Sequence, residues 1–272
     1  MIRTILRDLW TSRELFLQLT QRDLKLRYRQ AIMGFAWALF LPVLTITAGL
    51  ILRKAIVGAG GGEPPSLGGI AIKSWAWAFF AGAMNFATIS LLTNASLVTK
   101  IYFPREVLPL ASIVAQGVDS LIGLATLLLV GNWMGFHWSI QLLWVPVLLI
   151  TLLLMTTGLA FLFACANLFF RDVKYILQVL LTFGIFYTPV LLEPASFGKY
   201  GKYMMLNPLS PILEGLRLTL VERASLLDTI YIKGFLVWSP WMLAYSVGIG
   251  IFATLIGMVA FRRSAAYFAE YY

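Results

Sequence analysis

Apolar residues run along this chain in long blocks, separated by short charged stretches. Six blocks, roughly Ile32 to Leu52, Trp75 to Val98, Val107 to Val130, Ile140 to Phe170, Ile176 to Leu192 and Trp238 to Phe261, suit helices crossing a hydrocarbon layer of roughly 30 Å. They lack the alternation of barrel strands, and backbone groups in lipid must bond within their own segment, so helices are predicted. The expected fold class is an all-α integral membrane protein. Residues 32–262 form its transmembrane domain, residues 1–31 a separate amphipathic helix and residues 263–272 a tail.

Residues 1–31 alternate charge with apolar positions instead of forming a block. On a helix Trp10, Leu17, Leu24 and Tyr28 make one stripe, while Arg22, Lys25 and Arg29 cluster opposite it. Such a helix lies in the interface, its stripe in the headgroup boundary and its basic face toward anionic lipid or an acidic partner. A plain topogenic anchor is the alternative. No continuous apolar h-region precedes the first block, so no removable signal peptide is expected.

The connections differ from one another. Arg53 to Ser74 contains GAGGGEPPSLGG, which reads as an irregular loop, and GNWMGFHW reads as a tight turn. The stretch from Glu193 to Val237 carries Pro194, Pro208 and Pro211 and is too broken to cross, which suggests short helices dipping into the membrane under a protein cover.

Composition agrees with the blocks: 60% of residues are hydrophobic and 12% charged, far from a soluble domain. The net charge of +9 raises nucleic acid as a partner. Its distribution argues otherwise, since 13 of the 21 Lys and Arg residues fall in the N-terminal segment, in the loops after the second and fourth blocks, and in the tail. By the positive-inside rule that side is cytoplasmic and holds both termini. No separate basic domain exists to carry nucleic acid. The lone Cys165 excludes an internal disulfide framework and reads as a small packing residue.

Enzyme signals are absent: there is no phosphate-binding G-x-x-x-x-G-K-[ST] loop, no H-E-x-x-H and no D-x-D pair. The single His137, between tryptophans, suits an interfacial anchor. Asp119 is the one acid inside a block. It marks either a transport path or a helix interface, sharing hydrogen bonds with Gln116 or with a polar group on another helix. Trp75, Trp77, Phe79, Phe80 and Phe86 begin the second block, and Phe183, Phe186 and Tyr187 end the fifth. They form either an interfacial belt or a ring lining a path, where sugar CH faces can pack. NASLVTKIYFPREVLPLA, with Leu97, Lys100, Tyr102, Phe103 and Arg105, has the composition of a contact surface.

RDLKLRYRQAIMGFAWALFLPVL resembles the R-D-x-K-x-R-Y-x-x-x-x-L-G-x-x-W-x-x-x-x-P opening of permease subunits of type-2 ABC exporters, especially those for O-antigen and related polysaccharides. KIYFPREVLPLA, NLFFRDVKYI, YTPV and LNPLSPI follow in that family's order. Met33 replaces the usual Leu before Gly34, and the glycine-rich first loop is not a family feature, which leaves the substrate open.

The resemblance implies a homodimer in the bacterial cytoplasmic membrane, bound to two copies of a separate ATPase. That subunit holds ATP and Mg, and this chain holds no cofactor or metal. It implies that Leu97, Lys100, Tyr102, Phe103, Arg105, Arg171 and Asp172 couple to the ATPase. Arg22, Lys25, Arg27 and Arg29 would meet the lipid head and gate the cytoplasmic mouth, and the aromatic groups would line the glycan path. An exporter of a small amphiphile, drug or lipid is the alternative.

Overall fold

A computed structural model describes residues 11–28, 43–44, 47–51, 54–55, 65–100, 103–194, 200–232, 234–265 and 267–268. Most of the expected first crossing, most of the glycine-rich loop, Tyr102 and Arg29 lie outside the described residues, as do the side chains of Tyr28 and Lys100.

Helix α1 spans Arg13–Tyr28, α2 Leu67–Thr93, α3 Ala95–Lys100, α4 Val107–Gly131, α5 Trp144–Phe169, α6 Val173–Gly184, α7 Gly201–Met204 and α8 Ser210–Leu220. Strands β1 (Ile230–Ile232) and β2 (Phe235–Trp238) precede α9 (Pro240–Ala265). Four of the described helices, α2, α4, α5 with its leading turn, and α9, are long and apolar enough to cross a membrane. Six crossings were expected. The fifth block forms only α6 and a 3-10 turn at Ile185–Tyr187. That segment ends before Thr188–Pro189, since a residue preceding proline is pushed away from the helical region.

Helix α2 starts at Leu67 rather than Trp75 because Ser66 caps it, its hydroxyl accepting the Gly69 N–H at 3.2 Å. The glycines that read as a loop serve close packing here. A Cβ on Gly69 would sit 2.9 Å from the Arg217 side chain on α8. This extension brings Lys73 inside the helix, where it has no exposure.

Helix α2 is the hub, with α4 and α5 packed along it, α8 against its first turns and α9 against α5. Small residues set the tightest crossing, as in lipid-embedded helix pairs. A Cβ on Gly158 would strike the Ala253 backbone, and one on Gly257 would strike the Gly158 backbone. At the same crossing the Thr254 hydroxyl donates to the Leu154 carbonyl at 2.7 Å.

The helices define two ends. At the basic end, where α2, α5 and α9 finish, Phe103, Phe161, Phe261 and Phe268 close a second apolar core with Leu19 of α1. Arg262 donates there to Glu106 at 2.9 Å, and Arg105 donates to the Ala265 carbonyl. At the opposite end the broken segment folds as α7, α8 and a short antiparallel hairpin, while the described residues as a whole are mostly helical, as an all-α membrane protein requires. Gly234 turns the hairpin with φ +79°, and the buried Trp238 indole donates to the Leu226 carbonyl at 3.0 Å. The last block therefore begins its helix at Pro240, not Trp238, with proline suited to a helix start.

Candidate functional site

Helix α1 runs beside α4 in the same direction, away from the basic end. Its buried Leu19 joins the core that contains Leu108, the Ser112 hydroxyl donates to Asp23 at 3.0 Å, and Arg27 reaches Asp119. Arg27 donates to Asp119 Oδ2 at 2.5 Å and to Gln116 Oε1 at 2.8 Å, with its guanidinium 3.8 Å from the Phe86 ring centroid. Asp119 lies 12 residues into α4, about 18 Å along it at the helical rise. The acid therefore belongs to a helix interface, and its partner is a cation from 92 residues away.

Both side chains are about seven-eighths buried. A paired charge in such a place is tolerated, and removing one partner costs about 3–5 kcal/mol because the other is left uncompensated. Gly82 makes the site possible: a Cβ there would come 2.6 Å from the Gln116 amide carbon. Among the other cations expected at the lipid head, Arg22 pairs with Asp23 at 2.8 Å and Lys25 is exposed. Of the expected stripe, Leu17 is exposed and Leu24 half-buried, while Leu19 and Thr20 turn to the protein.

A second charged cluster sits at the opposite end and was not anticipated from the sequence. Arg217 of α8 donates from Nε to Glu214 Oε1 at 2.8 Å and from Nη1 to Glu222 Oε1 at 2.8 Å, and lies 3.7 Å from Glu193. Lys73 of α2 is 3.6 Å from Glu214 Oε2, a charge contact longer than a hydrogen bond. Lys73, Glu214 and Arg217 are at most 1% exposed. Glu193 also accepts the Ser66 N–H at 3.2 Å, so the cluster ties the start of α2 to α8.

Burial alone would push the Glu214 carboxyl up, but Arg217 first and Lys73 second outweigh it and hold it below the usual range. Burial alone would likewise lower Arg217, and Glu214 and then Glu193 reverse this, so the guanidinium holds its proton more tightly than usual. The only hint in the sequence was the i, i+3 pair Glu214 and Arg217 within SPILEGLRLTL.

The eight aromatics do not form one group. Phe79 and Phe80 are core residues, and Trp75, also buried, donates its indole N–H to the Ser120 carbonyl at 2.7 Å. Trp77 is half-buried and packs over Gly184, where a Cβ would sit 2.8 Å from its ring. Phe86 lies beneath Arg27, while Phe183, Phe186 and Tyr187 are exposed together at the far end of α6. Among the expected coupling residues, Phe103 is buried, Leu97 is half-buried and Arg105 faces α9. Arg171 and Asp172 are exposed in the turn before α6.

Two outcomes test these clusters. Asp119→Ala and Arg27→Ala should each destabilise the purified protein in detergent by about 3 kcal/mol or more, read as a lower thermal midpoint. The double substitution should cost no more than the worse single one. Glu214 has a depressed native pKa, so its stabilisation is complete above the ordinary glutamate value of about 4.3 and is lost as pH falls through the lower native value. The midpoint should hold from neutral to mildly acid pH and drop below about pH 4, with Glu214→Gln shrinking that drop.

The sequence profile described as ABC-2 type transporter matches residues 14–221. Two curated relatives are both called O-antigen export system permease protein RfbA. One, from Klebsiella pneumoniae, is 24% identical over 263 residues, 94% of each chain. The other, from Myxococcus xanthus, is 28% identical over 213 residues, 78% of this chain and 81% of its own. The matched region takes in α1, the Arg27–Asp119 interface, the α2 hub and α8, and on that extent the chain belongs to the ABC-2 type transporter membrane family.

Proposed function

We propose that the chain is the membrane-spanning permease subunit of an ATP-driven exporter. Its cargo is a lipid-linked polysaccharide, an O-antigen or related cell-surface glycan, moved across the bacterial cytoplasmic membrane. The observation that carries this reading is the likeness, over 78% to 94% of the chain, to permeases named for O-antigen export. The exposed aromatic group at Phe183, Phe186 and Tyr187 also supports it. Electron-rich ring faces attract the CH faces of sugars weakly and without fixed register, which suits a sliding polymer.

In this reading two copies of the chain form the path, and each crosses six times, with the first crossing within residues 32–52. Two partner ATPase subunits bind ATP and Mg. Arg171 and Asp172, both exposed, meet them on the cytoplasmic side. Helix α8 and the hairpin cover the outer end, held to α2 by Lys73, Glu214 and Arg217. Helix α1 guards the inner mouth, and its Arg22 and Lys25 attract the diphosphate of the incoming lipid.

Reconstituting the chain with its cognate ATPase in vesicles tests the reading. Lipid-linked glycan should stimulate ATP hydrolysis and cross the bilayer. Phe186→Ala with Tyr187→Ala should cut transport several-fold while the ATPase still copurifies. Stimulation by small hydrophobic compounds and by no glycan would overturn it.

A further inference from the structure

A cleft of about 240 Å³ opens between α2 and α6 near the basic end. Asn85 and Thr88 line one wall, Lys174, Tyr175 and Gln178 the other, and Leu177 contributes an apolar patch. Its spacing is fixed by Asn167 of α5, which has no exposure. The Asn167 amide donates to the Thr88 carbonyl at 3.1 Å, and its oxygen accepts the Lys174 N–H at 3.2 Å. One buried amide thus holds both walls.

The lining is mixed, Ile89 and Leu177 beside five side chains that carry polar atoms, and one of those atoms is unpaired. Thr88 is 1% exposed, and its hydroxyl has no hydrogen-bond partner among the described residues. A buried hydroxyl left unpaired is costly, and polar side chains facing a membrane interior usually serve water or a polar ligand. Lys174 holds its ammonium 4.7 Å from the centroid of the Tyr175 ring, with both side chains exposed.

We propose that this cleft is a subsite for the phosphate-bearing sugar of a lipid-linked glycan. The assignment rests on the export reading above and adds to it a place and a chemistry. The amides of Asn85 and Gln178 and the hydroxyl of Thr88 both donate and accept, as sugar hydroxyls do. Tyr175 offers a ring face to the sugar, and Lys174 offers a charge-assisted hydrogen bond to the phosphate. The volume accommodates one ring rather than a chain, so the subsite reads the end of the glycan next to the lipid. A phospholipid whose headgroup pairs a phosphate with a polyol has the same chemistry and is the competing source.

A photoreactive residue placed at Gln178, in the complete transporter in its own membranes, separates the two. Its adducts are probed for glycan and for phospholipid, with the same residue at Leu129, 85% exposed at the far end of α4, as control. The expected result is a glycan-bearing adduct at Gln178 and none at Leu129. Lys174→Ala should reduce its yield roughly tenfold, in line with one lost charge-assisted hydrogen bond, and Lys174→Arg should restore most of it. Adducts with phospholipid alone, or a glycan adduct indifferent to Lys174→Ala, would overturn the subsite. Deleting the chain separates the two levels. If surface glycan disappears on deletion yet Gln178 captures none, only the subsite fails, whereas surface glycan that survives deletion removes the export reading and the subsite together.

Discussion

A charge carried into a membrane finds little water there and needs its opposite within the protein. That constraint organises this chain twice. Arg27 enters beside α4 and meets Asp119, and Lys73 lies inside α2 and meets Glu214 with its neighbour Arg217. In each case an ion pair joins a segment that does not cross, α1 or α8, to a helix that does. Removing either partner alone leaves a buried charge behind, so each pair ties its segment to one place on the crossing helix.

Between the two clusters the helices associate by fit. Gly158 and Gly257 bring α5 and α9 into backbone contact, and Gly82 admits Gln116 beneath Arg27. Lipid supplies little hydrophobic drive for such contacts, so close approach and shared hydrogen bonds must hold them. Helix α6 is the exception: only Leu177 and Leu181 of its residues are buried, and its other faces are half-buried or open. This lightly packed helix and the 3-10 turn after it present Tyr175, Phe183, Phe186 and Tyr187, all exposed.

The crossing helices were legible because block length and apolarity act locally. The observed α4 and α5 lie within a few residues of the blocks that predicted them, and α9 is displaced only by Pro240. What escaped the sequence depends on contacts between distant segments. Gly68 and Gly69 signalled a loop, and only the approach of Phe136 to the first and of Arg217 to the second explains them as the packed start of a helix, which also hid Lys73. Asp119 was visible as an intramembrane acid, but nothing near it in sequence named Arg27. The aromatics were visible as a class, whereas their division into core residues on α2 and an exposed group at and just beyond the end of α6 follows from which faces these helices turn to their neighbours. Tyr231 and Phe235 gave little sign of a hairpin, because strands this short lack a clear alternation.

The most direct measurement of this account is the proximity of α1 to α4 in the intact membrane. Asp23 and Ser112 are in hydrogen-bond contact at 3.0 Å, and the native Cys165 is buried. Asp23→Cys with Ser112→Cys, treated with a short thiol crosslinker in membranes, should link within the chain in high yield. The yield should fall when Asp119→Ala releases Arg27. No link with Asp119 intact, or equal linking with and without it, would contradict the claim that the Arg27–Asp119 pair fixes α1 against α4.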